Sequence, residues 1–154
     1  MPDKTKRSVA SLTRTERTLP IALLRARETV MERYRPMLKR LEVTEQQWRV
    51  LRVLNEVDAI DASDLAKQAA ILAPSLSRIL KSLRARGFIA LRKDPYDGRR
   101  TLISLHEDGA TFLAAAAPES AAIYKEIETL AGPDRIETLL DEIDSLIAKL
   151  STHR

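Results

Sequence analysis

The sequence predicts a mainly α-helical fold that carries one small β-hairpin. Hydrophobic residues make up 44% of the 154-residue chain but aromatic ones only 4%, as expected for aliphatic packing between helices. Most of the chain shows apolar residues in steps of three and four, the period of a half-buried helix. Only between Phe88 and Leu105 does the pattern change, to two short β-prone runs around the turn-rich tip Asp94-Pro-Tyr-Asp-Gly-Arg99. The four glycines all fall at element ends or turns implied by these patterns.

Residues 1–17 are polar, with Lys4, Lys6, Arg7, Arg14 and Arg17 against Asp3 and Glu16. They read as a flexible basic arm, either a tail without a role or an added DNA or dimer contact. Thr18 is placed to cap a helix that starts at Leu19-Pro20. Leu23, Ala26, Val30, Tyr34, Met37 and Leu41 form its seam, and Pro36 inside it should kink it or remove a hydrogen bond. Arg27, with Leu23, Leu24, Val30 and Met31 three and four residues away, is expected to snorkel, to pair, or to receive an anion.

Thr44 and Gln47 form a capping box ahead of a helix that carries Trp48, Val50, Leu51, Leu54 and Val57. A short helix over 61–70 follows, with Leu65, Ala66 and Ala69 facing inward. The next helix, about 73–86, puts Leu72, Leu76, Ile79, Leu80 and Leu83 on one face. Its other face carries Ser75, Ser77, Arg78, Lys81 and Arg84. Pro74 suits its first turn and Gly87 its end. Strands over 88–93 and 100–105 flank the tip. Glu107-Asp-Gly109 then opens a long helix with the seam Leu113, Ala116, Ser120, Ile123, Ile127 and Leu130, bent at Pro118. Gly132-Pro133-Asp134 ends it and begins a last helix, where Ile136, Leu139, Leu140, Ile143, Leu146, Ile147 and Leu150 repeat over two heptads.

Between residues 72 and 100 stand Arg78, Lys81, Arg84, Arg86, Arg92, Lys93, Arg99 and Arg100 against Asp94 and Asp97, in a chain whose net charge is only +4. That concentration is the electrostatic footprint of nucleic-acid binding, although a solvated basic face gives the same count. Helix, short connection, reading helix and basic hairpin together make a winged helix-turn-helix over 44–106, suited to a major groove and the backbone or minor groove beside it. Ser75, Ser77 and Arg78, in the first turns of the reading helix, can reach base edges, whereas Lys81 and Arg84 are placed for phosphates. The apolar seams over 18–43 and 107–154 exceed what the middle segment needs. They predict a homodimer, with two reading helices about 34 Å apart on a near-palindromic duplex; the alternative is that the three long helices only complete a monomeric bundle.

Other classes are disfavoured. No cysteine is present, which excludes disulfides and thiol redox chemistry, and His106 and His153 alone make zinc fingers implausible. There is no Gly-rich phosphate loop and no carboxylate–histidine spacing suited to a metal, so neither an enzyme, a cofactor nor a metal site is expected. No signal-peptide core or membrane-length apolar run is visible, making the cytoplasm the default and a membrane partner unexpected. The rival is a helical dimerisation or small-ligand module without DNA binding, which would lack steep salt dependence on duplex.

The order of elements, the tip Asp97-Gly-Arg99, and the strand Ile103-Ser-Leu105 before Glu107-Asp-Gly109 resemble the MarR (multiple-antibiotic-resistance repressor) family over roughly residues 19–150. Leu19-Pro-Ile-Ala-Leu-Leu-Arg-Ala-Arg-Glu28, Arg35-Pro36, Thr44-Glu-Gln-Gln-Trp-Arg49 and Pro74-Ser-Leu-Ser77 resemble its homoprotocatechuate-degradation repressor subgroup. His106 departs from the family, which usually has a threonine cap there, and histidine caps less well. The resemblance implies a homodimeric winged-helix transcription regulator released from its operator by a small, usually aromatic and often anionic ligand. The subgroup implies hydroxyphenylacetate-type compounds and an aromatic-degradation operon. Arg99 matches the family's wing arginine, a candidate for minor-groove insertion, with Asp97 orienting it and Arg100, Arg92 and Lys93 as weaker contacts. The family also places its ligand where the dimerisation helices meet the winged helix, which points to Arg27, Met31 and Trp48. Pairing of Arg27 with Glu28 and a core role for Trp48 are the alternatives there.

Overall fold

The computed structural model describes residues 12–153. The chain divides between Arg33 and Tyr34 into two units. The first eleven residues of the expected basic arm lie outside the described residues.

In the N-terminal unit a 3-10 turn, Thr15–Arg17, carries an Arg14–Glu16 ion pair and precedes α1 (Leu19–Arg40). The Thr18 hydroxyl donates to the Thr15 carbonyl at 2.7 Å, so it closes this turn, a different task from the helix cap expected of it. Leu19, Leu23, Leu24 and Val30 are exposed. The α1 helix continues through Pro36 to Arg40, with one rung of its ladder missing where proline has no N–H.

The second unit starts with the last turns of α1, where Met37 and Leu38 are buried. The capping box then forms as the sequence predicts. Gln47 N donates to Thr44 Oγ1 at 3.0 Å, Thr44 N donates to Gln47 Oε1 at 2.9 Å, and α2 (Glu45–Leu54) follows. Arg35 pairs with Glu45, and Arg40 with Glu119. A two-residue strand, β1 (Ile60–Asp61), leads into α3 (Ala62–Ala69), with Asp61 serving both elements: its carboxylate accepts from Asp64 N at 2.8 Å and caps the helix. Two residues show no period, so β1 escaped the sequence reading.

Helix α4 (Ala73–Ala85) precedes the hairpin of β2 (Ile89–Lys93) and β3 (Thr101–Leu105). The antiparallel sheet runs β1-β3-β2, with Ile103 of the central strand between Ile60 and Leu91. Ile60, Ile89 and Ile103 join Val50, Leu51, Leu54, Leu65, Leu76, Ile79 and Leu83 in one aliphatic core. Leu72 does not join it. Expected on the inward face of α4, it is 78% exposed as the residue before the helix.

Helix α5 (Glu107–Ala131) is capped by His106, whose Nδ1 accepts from Asp108 N at 3.1 Å, so histidine performs the task for which the family uses threonine. Gly109 is there for a steric reason. A Cβ on it would lie 2.3 Å from the Phe88 carbonyl oxygen and 2.8 Å from Leu105 Cδ1. Leu113, Ala116 and Ser120 of the predicted seam are buried, whereas Leu130 is exposed. Helix α6 (Pro133–Thr152) follows and buries no residue; Leu139, Leu140, Ile147 and Leu150 all face solvent.

Candidate functional site

Burial of Leu76, Ile79 and Leu83 turns the rest of α4 outward. Ser77, Arg78, Lys81 and Arg84 are exposed, while Ser75 is only half so. Among the described residues no hydrogen bond or ion pair occupies Arg78, Lys81 or Arg84. Gln47 Nε2 meets Ser82 Oγ at 2.9 Å and ties α4 to α2. The first turns of α2, α3, α5 and α6 each hold an acidic residue, whereas that of α4 holds none. A polyanion approaching α4 end-on therefore meets helix-dipole charge with no carboxylate in front of it.

Local bonds build the wing tip. Asp94 Oδ1 accepts from Tyr96 N, Asp97 Oδ1 from Arg99 N, and Asp94 N donates to Arg100 O, at 2.9, 3.1 and 2.9 Å. Arg99 Nε lies 3.6 Å from Asp97 Oδ1 while its side chain is 96% exposed, so the charge stays open to solvent. Arg92 and Lys93 are exposed on β2.

Two of the basic residues counted in the reading unit have internal work. Arg100 Nη2 donates to Asp61 Oδ2 at 2.7 Å and its Nη1 lies 3.6 Å from Asp94 Oδ2, which braces the wing against the start of α3. The Asp61 carboxyl is held below its ordinary range, first by the Asp64 backbone N–H and then by the Arg100 guanidinium. Arg86 donates to the Glu42 carbonyl at 2.7 Å and lies over the rings of Phe88 and Phe112, 4.6 and 5.4 Å from their centroids. The open basic surface is thus Arg78, Lys81 and Arg84 on the helix with Arg92, Lys93 and Arg99 on the wing.

On another side of the second unit, α2 and α5 enclose a cavity of about 310 Å³. Trp48 and Arg52, one helical turn apart, line it from α2, and Leu113, Ala117 and Ser120 from α5. Arg52, Ala117 and Ser120 also border a neighbouring space of about 640 Å³, closed by Tyr34, Tyr124 and Lys125. Arg52 is exposed, and no hydrogen bond or ion pair occupies its guanidinium among the described residues. Burial, and then the neighbouring Tyr124, push the Tyr34 phenol above its ordinary pKa, with Arg52 pulling the other way. Tyr34 is therefore a neutral O–H donor near physiological pH. Arg52 and Lys125, two phenols, an indole and an alanine floor can receive a small planar anion, with Glu56 and Glu128 the acids on the same walls.

Of the residues on these walls the sequence reading named Trp48 as a ligand candidate, and it did not group Arg52, Tyr34 and Tyr124 with it. The available signal was Arg52 four residues after Trp48, on the same helical face. Arg27 and Met31 belong to the N-terminal unit, where Arg27 Nη1 lies 3.3 Å from Glu28 Oε1, the pairing that was one of the alternatives.

The likeness to known proteins falls on these same elements. Residues 41–100 match the model of the MarR family. The chain is 37% identical over 131 residues to the homoprotocatechuate degradative operon repressor of Escherichia coli, an alignment covering 85% of this chain and 88% of that one. The chain belongs to the MarR family. The fold of this MarR protein is similar to that of NadR in complex with 4-hydroxyphenylacetate, with TM-score 0.78, 34% identity, and coverage of 89% of this chain and 97% of that one. It is also similar to the repressor CouR bound to a 23-mer DNA duplex, with TM-score 0.77, 26% identity, and coverage of 90% and 99%. The Escherichia coli relative and CouR are repressors by name, and this MarR chain is a DNA-binding regulator and not an enzyme. Among the described residues no cluster of three or more candidate ligands could hold a metal, and no helix is long and apolar enough to cross a membrane.

Proposed function

We propose that this chain is a homodimeric repressor of an aromatic-compound degradation operon, released from a near-palindromic operator when a hydroxyphenylacetate-type acid fills the α2–α5 cavity. The unpaired guanidinium of Arg52, which borders both the cavity lined by Trp48 and the neighbouring space lined by Tyr34 and Tyr124, is the observation that carries the reading. An aryl-acetic acid has a carboxylate for Arg52, a ring for Trp48 and a hydroxyl for a phenol. NadR, similar over most of this chain, was crystallised with 4-hydroxyphenylacetate.

On the DNA side, Ser75, Ser77 and Arg78 read base edges, Lys81 and Arg84 hold phosphates, and Arg99, oriented by Asp97, enters the minor groove. Arg100 serves the duplex indirectly, by holding the wing. The dimer forms through regions 18–43 and 107–154, where the exposed leucines and isoleucines of α6, and separately those of α1, supply apolar area. The winged helix spans 44–106, and the basic arm 1–17 adds a further contact. A ligand shifts DNA binding only by its differential affinity for two arrangements of the dimer. The cavity is bounded by α2 of the winged helix and by α5, so filling it alters how far apart the reading helices stand.

The test is fluorescence anisotropy of the duplex upstream of the chain's own gene, at fixed salt, with 4-hydroxyphenylacetate titrated in. Tight, salt-steep binding that the acid reverses is expected. Absence of duplex binding would favour a ligand-binding module without DNA, and binding indifferent to every aryl-acetic acid would remove the effector assignment.

A further inference from the structure

Between residues 44 and 106, two large apolar side chains among the described residues stand exposed: Leu72, at 78%, and Tyr96 at the wing tip, at 97%. Both sit on the elements that carry the open basic surface. Leu72 also occupies a position where leucine is a poor choice. It is the N-cap residue of α4, makes no side-chain cap hydrogen bond, and belongs to the class least suited to that position. By contrast α2, α3 and α5 are each capped by a side chain that accepts from their first turn, from Thr44, Asp61 and His106.

The local structure holds Leu72 outward. Ala70 adopts the left-handed conformation at the end of α3, its carbonyl accepts from Arg49 Nη1 at 3.1 Å, and Ile71 N donates to Ala66 O at 2.9 Å. Ile71 is thereby buried. Leu72 has extended backbone, and in an extended segment successive side chains point to opposite sides, so burial of Ile71 directs Leu72 to solvent. Its carbonyl accepts from Ser75 N and Leu76 N at 3.0 and 3.1 Å, which pins it to the first turn of α4. The N-terminal residues of a reading helix are the ones that meet base edges. The first turn of α4 holds no acid and carries Ser75, with Ser77 and Arg78 next along the helix, so this end suits a polyanion better than an apolar protein partner.

We propose that Leu72 is a specificity-determining residue that packs against a thymine 5-methyl group in the major groove, discriminating T·A from C·G and from unmethylated pyrimidine at one position per half-site. This rests on the DNA-binding reading above and adds a named base feature to it. Leucine at this position gives up helix capping and presents an isobutyl group in its place.

The experiment first selects a preferred duplex from a random-sequence library with the full-length protein, then replaces each thymine of that duplex singly by deoxyuridine, which deletes only the methyl group. At one thymine per half-site, wild type is expected to lose about fourfold in affinity, the worth of one buried methyl. Leu72→Ser should bind the parent duplex more weakly and ignore that replacement, with an unchanged or raised melting temperature because serine is the better cap. Leu72→Ala should show the same indifference. A flat wild-type response at every thymine, or a fourfold response retained in both variants, overturns the proposal while leaving DNA binding intact. Failure to enrich any duplex overturns the DNA-binding reading itself, and this inference with it.

Discussion

Replacing Arg52 by glutamine deletes the guanidinium that borders both the α2–α5 cavity and the neighbouring space while keeping a polar side chain there. The expected loss follows from the surroundings of the charge. A carboxylate about 4 Å from a guanidinium at an effective dielectric of about 20 gains roughly 4 kcal/mol before hydration is counted. Arg52 is exposed in the unliganded cavity, so much of that gain is offset by water it must give up. A charge-assisted hydrogen bond retains about 1.5–3 kcal/mol net, and the lower part of that range applies at an exposed site. Arg52→Gln should therefore weaken 4-hydroxyphenylacetate binding by about 10- to 30-fold by titration calorimetry, and raise the concentration needed for operator release by the same factor. Operator affinity without ligand should stay within about twofold, because Arg52 lies on the cavity side of α2 and the reading face belongs to α4. Arg27→Ala is the matched control and should release normally. If Arg52→Gln responds at the wild-type concentration, or if Arg27→Ala carries the loss, the cavity is not where the anion is held.

Three further outcomes follow from the geometry. Arg99→Ala should weaken operator binding by at least about tenfold in a mobility shift at fixed salt, without lowering the melting temperature, since its side chain is almost fully exposed; unchanged binding would sink the wing assignment. Gly109→Ala should cost about 1–3 kcal/mol in urea denaturation, because its methyl collides with the Phe88 carbonyl, which belongs to backbone and yields little; a cost below about 0.5 kcal/mol would mean that the close approach relaxes freely. Asp61→Asn should lower the melting temperature near neutral pH. The folded-state pKa of Asp61 lies below its ordinary value of 3.8, so its stabilisation is present above that value and is lost as pH falls through the folded pKa. The gap between wild type and variant should narrow as melts are carried to acid, below the ordinary value and through the folded pKa, and a gap of equal size at both ends of the range would assign it to something other than the carboxylate.

The sequence by itself determined the helices, the inward faces of α2, α3 and α4, the capping box and the turn chemistry of the wing tip. These are local properties: the 3.6 period, the Thr44–Gln47 reciprocity and the Asp94–Gly98 turn act over a few residues, and each appears where the pattern put it. The exposed basic face of α4 was legible for the same reason. Whatever depended on partners distant in the chain was not. The sequence showed Arg100 and Arg86 as part of the basic count but not their bonds to Asp61 and the Glu42 carbonyl, 39 and 44 residues away. Leu72 fitted the apolar period but falls before the first turn of α4, where the period no longer determines direction and the turn after Ala70 does. Strand β1 is too short to show a pattern and exists because β3 offers it hydrogen bonds. Trp48 was visible as an aromatic beside a candidate site, yet its cation came from packing. Only the approach of α5 to α2 made Arg52 the charge in that wall, because side-chain periodicity specifies which way a residue faces and leaves open what it will meet there.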